Sequence, residues 1–127
     1  MKLLLDTHTF IWFVENDLNL PNKLKTEIEN PVNEIYISVV SLWEIAVKVS
    51  LGKLAMTIDI PKLIIKIEEC GFFTLPILAE HIVRVSSLPF HHRDPFDRML
   101  IAQTLCEKMT IVSRDGSFRE YHVDLLW

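Results

Sequence analysis

The sequence predicts an α/β fold built on a mostly parallel sheet of four or five strands covered on both faces. Short apolar runs alternate along the chain with segments of helical period, and strands separated by helices are the mark of a parallel sheet. No repeat, low-complexity tract or long charge run interrupts the 127 residues, half of them hydrophobic. One domain over residues 1–127, with a core that needs no staples, is therefore expected.

The elements follow in order. A first strand runs over about residues 2 to 5, and Phe10 to Val14 form a helix that ends in a turn at Asn16-Asp17. Pro21 opens a second helix with Leu24 and Ile28 on one face, stopped at Asn30-Pro31. Ile35-Tyr36-Ile37 is the second strand. Ser38 to Ser41 turn into a third helix carrying Leu42, Trp43, Ile45, Ala46 and Val49, with Gly52 as its terminator. Pro61 starts a helix whose stripe runs from Leu63 to Ile67 and which Gly71 ends. Phe72 to Pro76 reads as a third strand, and Ile82, Val85 and Leu88 space a helix up to Pro89. Asp94-Pro95 opens another helix, in which Met99, Ala102, Cys106 and Met109 recur at steps of three, four and three. Ile111-Val112 is the fourth strand, and His122-Val123 begins a fifth.

Bulk properties narrow the function. Cys70 and Cys106 lack CxxC spacing and follow apolar helical stretches, so they read as two buried thiols in a reducing, cytoplasmic compartment. The amino terminus is too short in apolar residues for a signal-peptide core, and no run approaches the roughly 20 apolar residues of a membrane span. A net charge of −4 argues mildly against metal-free binding of nucleic acid, although setting clustered acids aside as ligands leaves the rest near neutral.

Four carboxylates stand at element boundaries. Asp6 ends the first strand and Asp115 closes the fourth, while Glu44 and Asp97 each lie three residues after a capping residue, Ser41 and Asp94. In a parallel sheet, strand carboxyl ends and the amino ends of the following helices share the edge where ligands bind. Each acid also has a structural explanation. An aspartate after a strand caps the next helix, although Thr7 and Thr9 are themselves good caps. An acid in a first turn satisfies an orphan N–H and complements the helix dipole, and Asp-Gly is a turn pair. The coincidence of all four at one edge favours a ligand set. Oxygen-only ligation suits a hard cation, Mg²⁺ or Mn²⁺. The histidines form no zinc spacing; His91 and His92 read as surface residues and His8 as a neighbour of Asp6. No nucleophile elbow, Walker loop or GxGxxG turn is present. Arg93, Arg98, Arg114 and Lys48 lie close in sequence to the acids and are candidates for steering phosphates. Lys48 has a simpler reading as an i,i+4 partner of Glu44, whereas Arg98, directly after Asp97, has the better claim.

These residues resemble the PIN-domain ribonucleases of the VapC toxin type. The likeness runs through Leu3-Leu4-Leu5-Asp6-Thr7-His8, Ser38 to Lys48, His92 to Gln103 and Ile111 to Phe118, in that order. It implies a three-layer α/β/α PIN-like domain and a Mg²⁺- or Mn²⁺-dependent endoribonuclease, the toxin of a type II toxin–antitoxin pair. Carried over by motif, Asp6, Glu44, Asp97 and Asp115 are the catalytic and metal-binding acids. Ser113 in the Ser/Thr-x-Asp-x-x-Phe pattern helps organise the site, Thr7 is a weaker candidate for that role, and Asp94 is the N-cap lending charge from outside the ligand set. The implied partners are an RNA substrate, a cognate antitoxin and a second copy of the chain. Trp12, Phe13, Trp43, the Leu63 to Ile67 stripe and Trp127 are candidate contacts, with core packing the better expectation for each.

Two rivals remain at this level. A haloacid-dehalogenase-like phosphatase needs a second acid two residues after the first-strand aspartate, and that position is His8. A PIN-like scaffold without catalysis has no need of all four acids.

Overall fold

A computed structural model describes residues 1–127. Five strands, β1 (Lys2–Leu5), β2 (Glu34–Ser38), β3 (Phe73–Leu75), β4 (Thr110–Val112) and β5 (Asp124–Leu126), form one sheet in the order β3-β2-β1-β4-β5. Every pairing is parallel, with Leu4 opposite Tyr36 on one side and Ile111 on the other. The helices are α1 (Thr7–Val14), α2 (Asn22–Glu29), α3 (Val39–Ser50), α4 (Ile60–Glu69), α5 (Ala79–Ser86) and α6 (Pro95–Glu107), and a 3₁₀ helix spans Gly116–Tyr121.

The period of two along β1 divides the core between the two faces of the sheet. Leu3 and Leu5 point into one cluster with Phe10, Leu24, Ile28, Leu63 and Ile67, from α1, α2 and α4. Leu4 points the other way, against Leu100, Ile101 and Ala102 of α6 and Phe118 and Tyr121 of the 3₁₀ helix. The α/β/α layering expected from the alternating pattern is thus present, with all five strands parallel.

Local departures have simple causes. The third helix starts one turn earlier than expected, because Ser38 rather than Ser41 is its N-cap and accepts the Val40 N–H at 3.0 Å. Glu44 therefore sits in the second turn and not at a capping-box position. Asp6 is the N-cap of α1 despite the threonines beside it, accepting the Thr9 N–H at 2.9 Å. Thr7 and Thr9 lie inside the helix and use their hydroxyls elsewhere. The Asp115-Gly116 pair caps the 3₁₀ helix, with Asp115 accepting the Ser117 N–H at 2.9 Å.

Gly52 and Gly71 both sit at φ of +71°, just beyond helix ends, where a left-handed residue closes the last turn. Cys70, at the end of α4, and Cys106, in the last turn of α6, are half-buried and unpaired, less enclosed than the apolar stretches before them suggest. In the α4 stripe only Leu63 and Ile67 are buried, while Ile64 and Ile65 face outward. Trp43 is 56 % exposed and rests edge-on against Phe96 instead of entering the core. His92 is not a surface residue: its ring packs against Tyr121 and Phe118 with both nitrogens buried and unpartnered.

Candidate metal centre

The chain leaves β1 toward β2 on one side and, after β3, returns to β4 on the other side of β1. That reversal makes the carboxyl ends of β1 and β4 the switch point of the sheet, where a crevice opens between connections that diverge to opposite faces. Asp6 follows β1 and Ser113 follows β4. The Asp6 N–H donates to the Val112 carbonyl at 3.1 Å, so the two strand ends remain in register past the last residues of the ladder.

Asp6 is buried and held through both carboxylate oxygens. Oδ1 accepts the Thr9 N–H at 2.9 Å, and Oδ2 accepts the Ser113 hydroxyl at 2.6 Å. Ser113 in turn accepts the Asp115 N–H at 3.0 Å, tying the start of the next loop to the same hydroxyl. Burial raises the Asp6 pKa, an effect that its bonds from Ser113 and Thr9 and the nearby His8 only partly oppose.

Glu44 projects from α3, and it too is buried. Thr7 donates its hydroxyl proton to Glu44 Oε1 at 2.6 Å and lies 3.0 Å from the Ser41 hydroxyl. With its one proton on Glu44, Thr7 accepts at Ser41. Lys48 pairs with Glu44 Oε2 one turn on, as the i,i+4 spacing predicts. Its ammonium is held above the usual lysine range chiefly by that hydrogen bond, against the cost of burial and with added help from the charges of Glu44, Asp94 and Asp97.

Asp97 differs from both. Asp94 caps α6 by accepting the Phe96 and Asp97 N–H groups at 2.9 and 3.0 Å, and Pro95 supplies the first helical residue. This cap sets the direction of the Asp97 side chain, which accepts no hydrogen bond from the protein. Its pKa is pushed up to about 7, first by burial and then by the charges of Asp94, Glu44, Asp6 and Asp115. Four elements thus bring their acids within mutual electrostatic reach, and Asp97 bears the repulsion without a donor to relieve it. Asp115 completes the group from the solvent side, exposed and with one oxygen occupied by its own cap.

The donor set fits a hard cation: carboxylate oxygens alone, in excess negative charge, with buried hydroxyls orienting two of them. A second cluster with ligand-like spacing, Glu80, His81 and Glu107, lies elsewhere. Glu107 is ten residues beyond Asp97 on α6, about 15 Å along the helix. There His81 Nδ1 accepts the Leu78 N–H at 3.0 Å, so the neutral ring carries its proton on Nε2 and donates it to Glu107 at 3.1 Å. A ring so committed has no lone pair for a metal. His81 is a helix cap and a buried proton donor to Glu107.

The basic residues separate. Arg98 is buried at 6 % exposure, and its guanidinium donates to the carbonyls of Pro89, Leu88 and Val85 at 2.7, 3.2 and 3.4 Å while covering the Phe90 ring. All its strong bonds hold the end of α5 and the following loop, so the phosphate-steering expectation for Arg98 gives way to a structural clamp beside Asp97. Lys48 is engaged by Glu44. Arg114 is exposed, with its guanidinium carbon 5.9 Å from the centre of the Trp12 ring. Arg93 is exposed in the loop before α6.

A five-stranded parallel sheet with four acids converging on its switch point defines an α/β domain with an anionic site. A PIN domain profile matches residues 3–123, and the chain belongs to the PIN domain family, whose members are generally nucleases. Similar solved structures include VapBC2 from Rickettsia felis, at TM-score 0.72 and 17 % identity over 100 % of this chain and 99 % of that one. VapBC-1 from nontypeable Haemophilus influenzae gives 0.70 and 13 %, covering 99 % and 97 %. FitAcB from Neisseria gonorrhoeae gives 0.63 and 20 %, covering 98 % and 96 %. Among curated protein sequences none matches.

Proposed function

We propose that the protein is a metal-dependent endoribonuclease, the toxin subunit of a type II toxin–antitoxin pair, with Mg²⁺ or Mn²⁺ held among Asp6, Asp97, Glu44 and Asp115. The observation that carries the reading is the state of Asp97: half-buried, without a donor, and raised to about 7 first by that burial and then by the charges of Asp94 and the three other acids. Such a carboxylate is unfavourable in the folded chain unless a cation accompanies it.

The hydrogen bonds rank the ligands. Asp97 has every lone pair free, and Asp6 keeps one on each oxygen after its bonds to Thr9 and Ser113. These two would be the direct ligands. Glu44 has Thr7 on one oxygen and Lys48 on the other, which suits contact through a water. Asp115 has one free oxygen on the open side and is placed to orient an incoming water. A divalent cation held by these residues would supply a water of lowered pKa and offset charge on a phosphoryl oxygen. Ser113 and Thr7 hold Asp6 and Glu44 in position, and Lys48 limits the anionic charge that an RNA backbone meets.

The likeness to chains of VapBC and FitAB complexes over nearly their whole length supports a cognate antitoxin as partner, and a second copy of the chain is proposed beside it. A cytoplasmic, single-domain toxin is consistent with two unpaired thiols; no helix is long and apolar enough to cross a membrane. The phosphatase alternative gains nothing, because His8 is exposed and no acid replaces it.

The test is cleavage of RNA by the purified protein with Mg²⁺, with Mn²⁺ and with chelator, beside Asp6→Asn. Cleavage that stops with chelator and in the variant is the expected result. Equal cleavage by the variant, or cleavage indifferent to chelator, sinks the assignment.

A further inference from the structure

Beside the acids lies an open pocket of about 290 Å³ lined by Asp6, His8, Trp12, Arg114 and Asp115. Two of these belong to the carboxylate group. The other three are an imidazole, an indole and a guanidinium, a combination that the cation-binding reading does not use. The His8 and Trp12 ring centres are 5.8 Å apart with planes tilted by 44°, and the Arg114 guanidinium carbon is 5.9 Å from the Trp12 ring. Trp127 meets Trp12 edge-on at 6.0 Å and braces the indole from the core side.

Core packing accounts for Trp127 and for the inner part of Trp12. It does not account for His8 and Arg114, both exposed and neither hydrogen-bonded to the protein. Aromatic faces with an unpaired guanidinium, at the rim of a site for phosphodiesters, are the components with which proteins hold single-stranded nucleic acid: bases stack on the rings and the cation meets the backbone. The volume is at the lower end for ligand pockets, enough for one base. Its walls include Asp6 and Asp115, so a base seated there belongs to a nucleotide next to the phosphate at the metal centre.

We propose that this pocket is a nucleobase subsite, in which one unpaired base of the RNA strand flanking the scissile phosphate stacks on Trp12 and His8 while Arg114 pairs with the adjoining phosphate. The inference rests on the nuclease reading and extends it to substrate recognition. Because stacking is indifferent to hydrogen-bond pattern, the subsite selects for an unpaired, splayed nucleotide, and double-stranded RNA is excluded from it.

The test is an abasic walk. A fluorescently labelled short single-stranded RNA is bound, by anisotropy in Mg²⁺, to the full chain carrying Asp97→Asn so that cleavage does not intervene, with one abasic nucleotide moved through each position. Removal of one particular base should lower affinity about tenfold, with much smaller effects elsewhere. In a His8→Ala, Arg114→Gln background that loss should shrink to under twofold, whereas Trp12→Phe, which keeps a stacking face, should retain most of it. His8 and Arg114 are exposed, so unchanged circular dichroism is expected and separates a lost subsite from a lost fold. The proposal is overturned by losses spread evenly over all positions, or by the same single-position loss in the double variant. It is equally overturned if His8 and Arg114 govern binding of a protein partner and leave RNA affinity unchanged. Abasic sensitivity without metal-dependent cleavage by the unmodified chain would refute the nuclease reading and leave the base subsite standing; cleavage without abasic sensitivity would do the reverse.

Discussion

Replacing Asp97 by asparagine should stabilise the metal-free protein while abolishing its activity. The folded chain raises the Asp97 pKa from 3.8 to about 7. Below pH 3.8 the group is protonated whether the chain is folded or not, and it contributes no difference. Between 3.8 and 7 the folded state retains a proton that the unfolded state has released, so stability falls as pH rises through this window and levels off above it. The interval corresponds to about 4 kcal/mol at most. Asp97 is only half-buried, and solvent screening reduces the expectation to about 2 kcal/mol at pH 8. Asparagine keeps the shape and carries no charge. Urea unfolding in chelator at pH 5, 6, 7 and 8 should therefore show the variant gaining on the parent chain as pH rises, with the difference near zero at pH 4. Asp6, also raised by burial, contributes a slope of the same sign to both proteins, and its coupling to Asp97 is part of the difference measured. Millimolar Mg²⁺ should stabilise the parent at pH 8 far more than the variant, by mass action on the folded state alone. A difference that is independent of pH, or that favours the parent at pH 8 in chelator, refutes the reasoning.

Two further substitutions test the supports of the site. Ser113→Ala removes the donor to buried Asp6 and should cost about 1.5 to 3 kcal/mol in urea unfolding, while Mg²⁺ affinity by calorimetry falls about tenfold or more. Thr7→Val, which strips a donor from Glu44, should lower affinity in the same direction; an unchanged affinity in both would remove the hydroxyls from the account. Arg98→Met leaves three carbonyls without their donor and should cost about 3 kcal/mol. The salt dependence of single-stranded RNA binding should not change, whereas Arg114→Gln should reduce that slope by about 0.7 for the lost phosphate contact. A salt slope lowered by the Arg98 variant would return that residue to the RNA surface.

Local signals in the sequence carried further than distant ones. Asp94-Pro95 could be read as a cap and first helical residue because both roles depend on neighbours, and the cap places Asp97 correctly. The Lys48 pairing with Glu44 follows from one helical turn. Ser38 and Ser41 are equally good caps, and the choice falls to Ser38 because β2 runs directly into α3 and the Ser38 hydroxyl also donates to Gln103 on α6 at 2.6 Å. That second bond crosses 65 residues and leaves no local trace. The Arg98 contacts leave no trace in the sequence for a related reason: its partners are backbone carbonyls, which carry no residue identity. The strand order was likewise beyond period and spacing, since these imply parallel neighbours without saying on which side of β1 each strand lies.

Capping and ligation are not competing explanations of these acids. A capping aspartate is held by N–H groups at fixed geometry, and each such bond uses one of about four lone-pair sites on the carboxylate. Asp6 caps α1 through Oδ1, yet that bond and the one from Ser113 leave a lone pair on both oxygens. Without the cap, a side chain at a strand end rotates freely and pays the entropy of ordering when a cation arrives. With it, that cost is met during folding. Asp97 shows the complementary solution, in which the cap falls to Asp94 and the carboxylate three residues on, the proposed ligand, is left with no donor at all. Its position comes from helix geometry, and its instability without a counter-charge is the quantity that a bound cation would relieve.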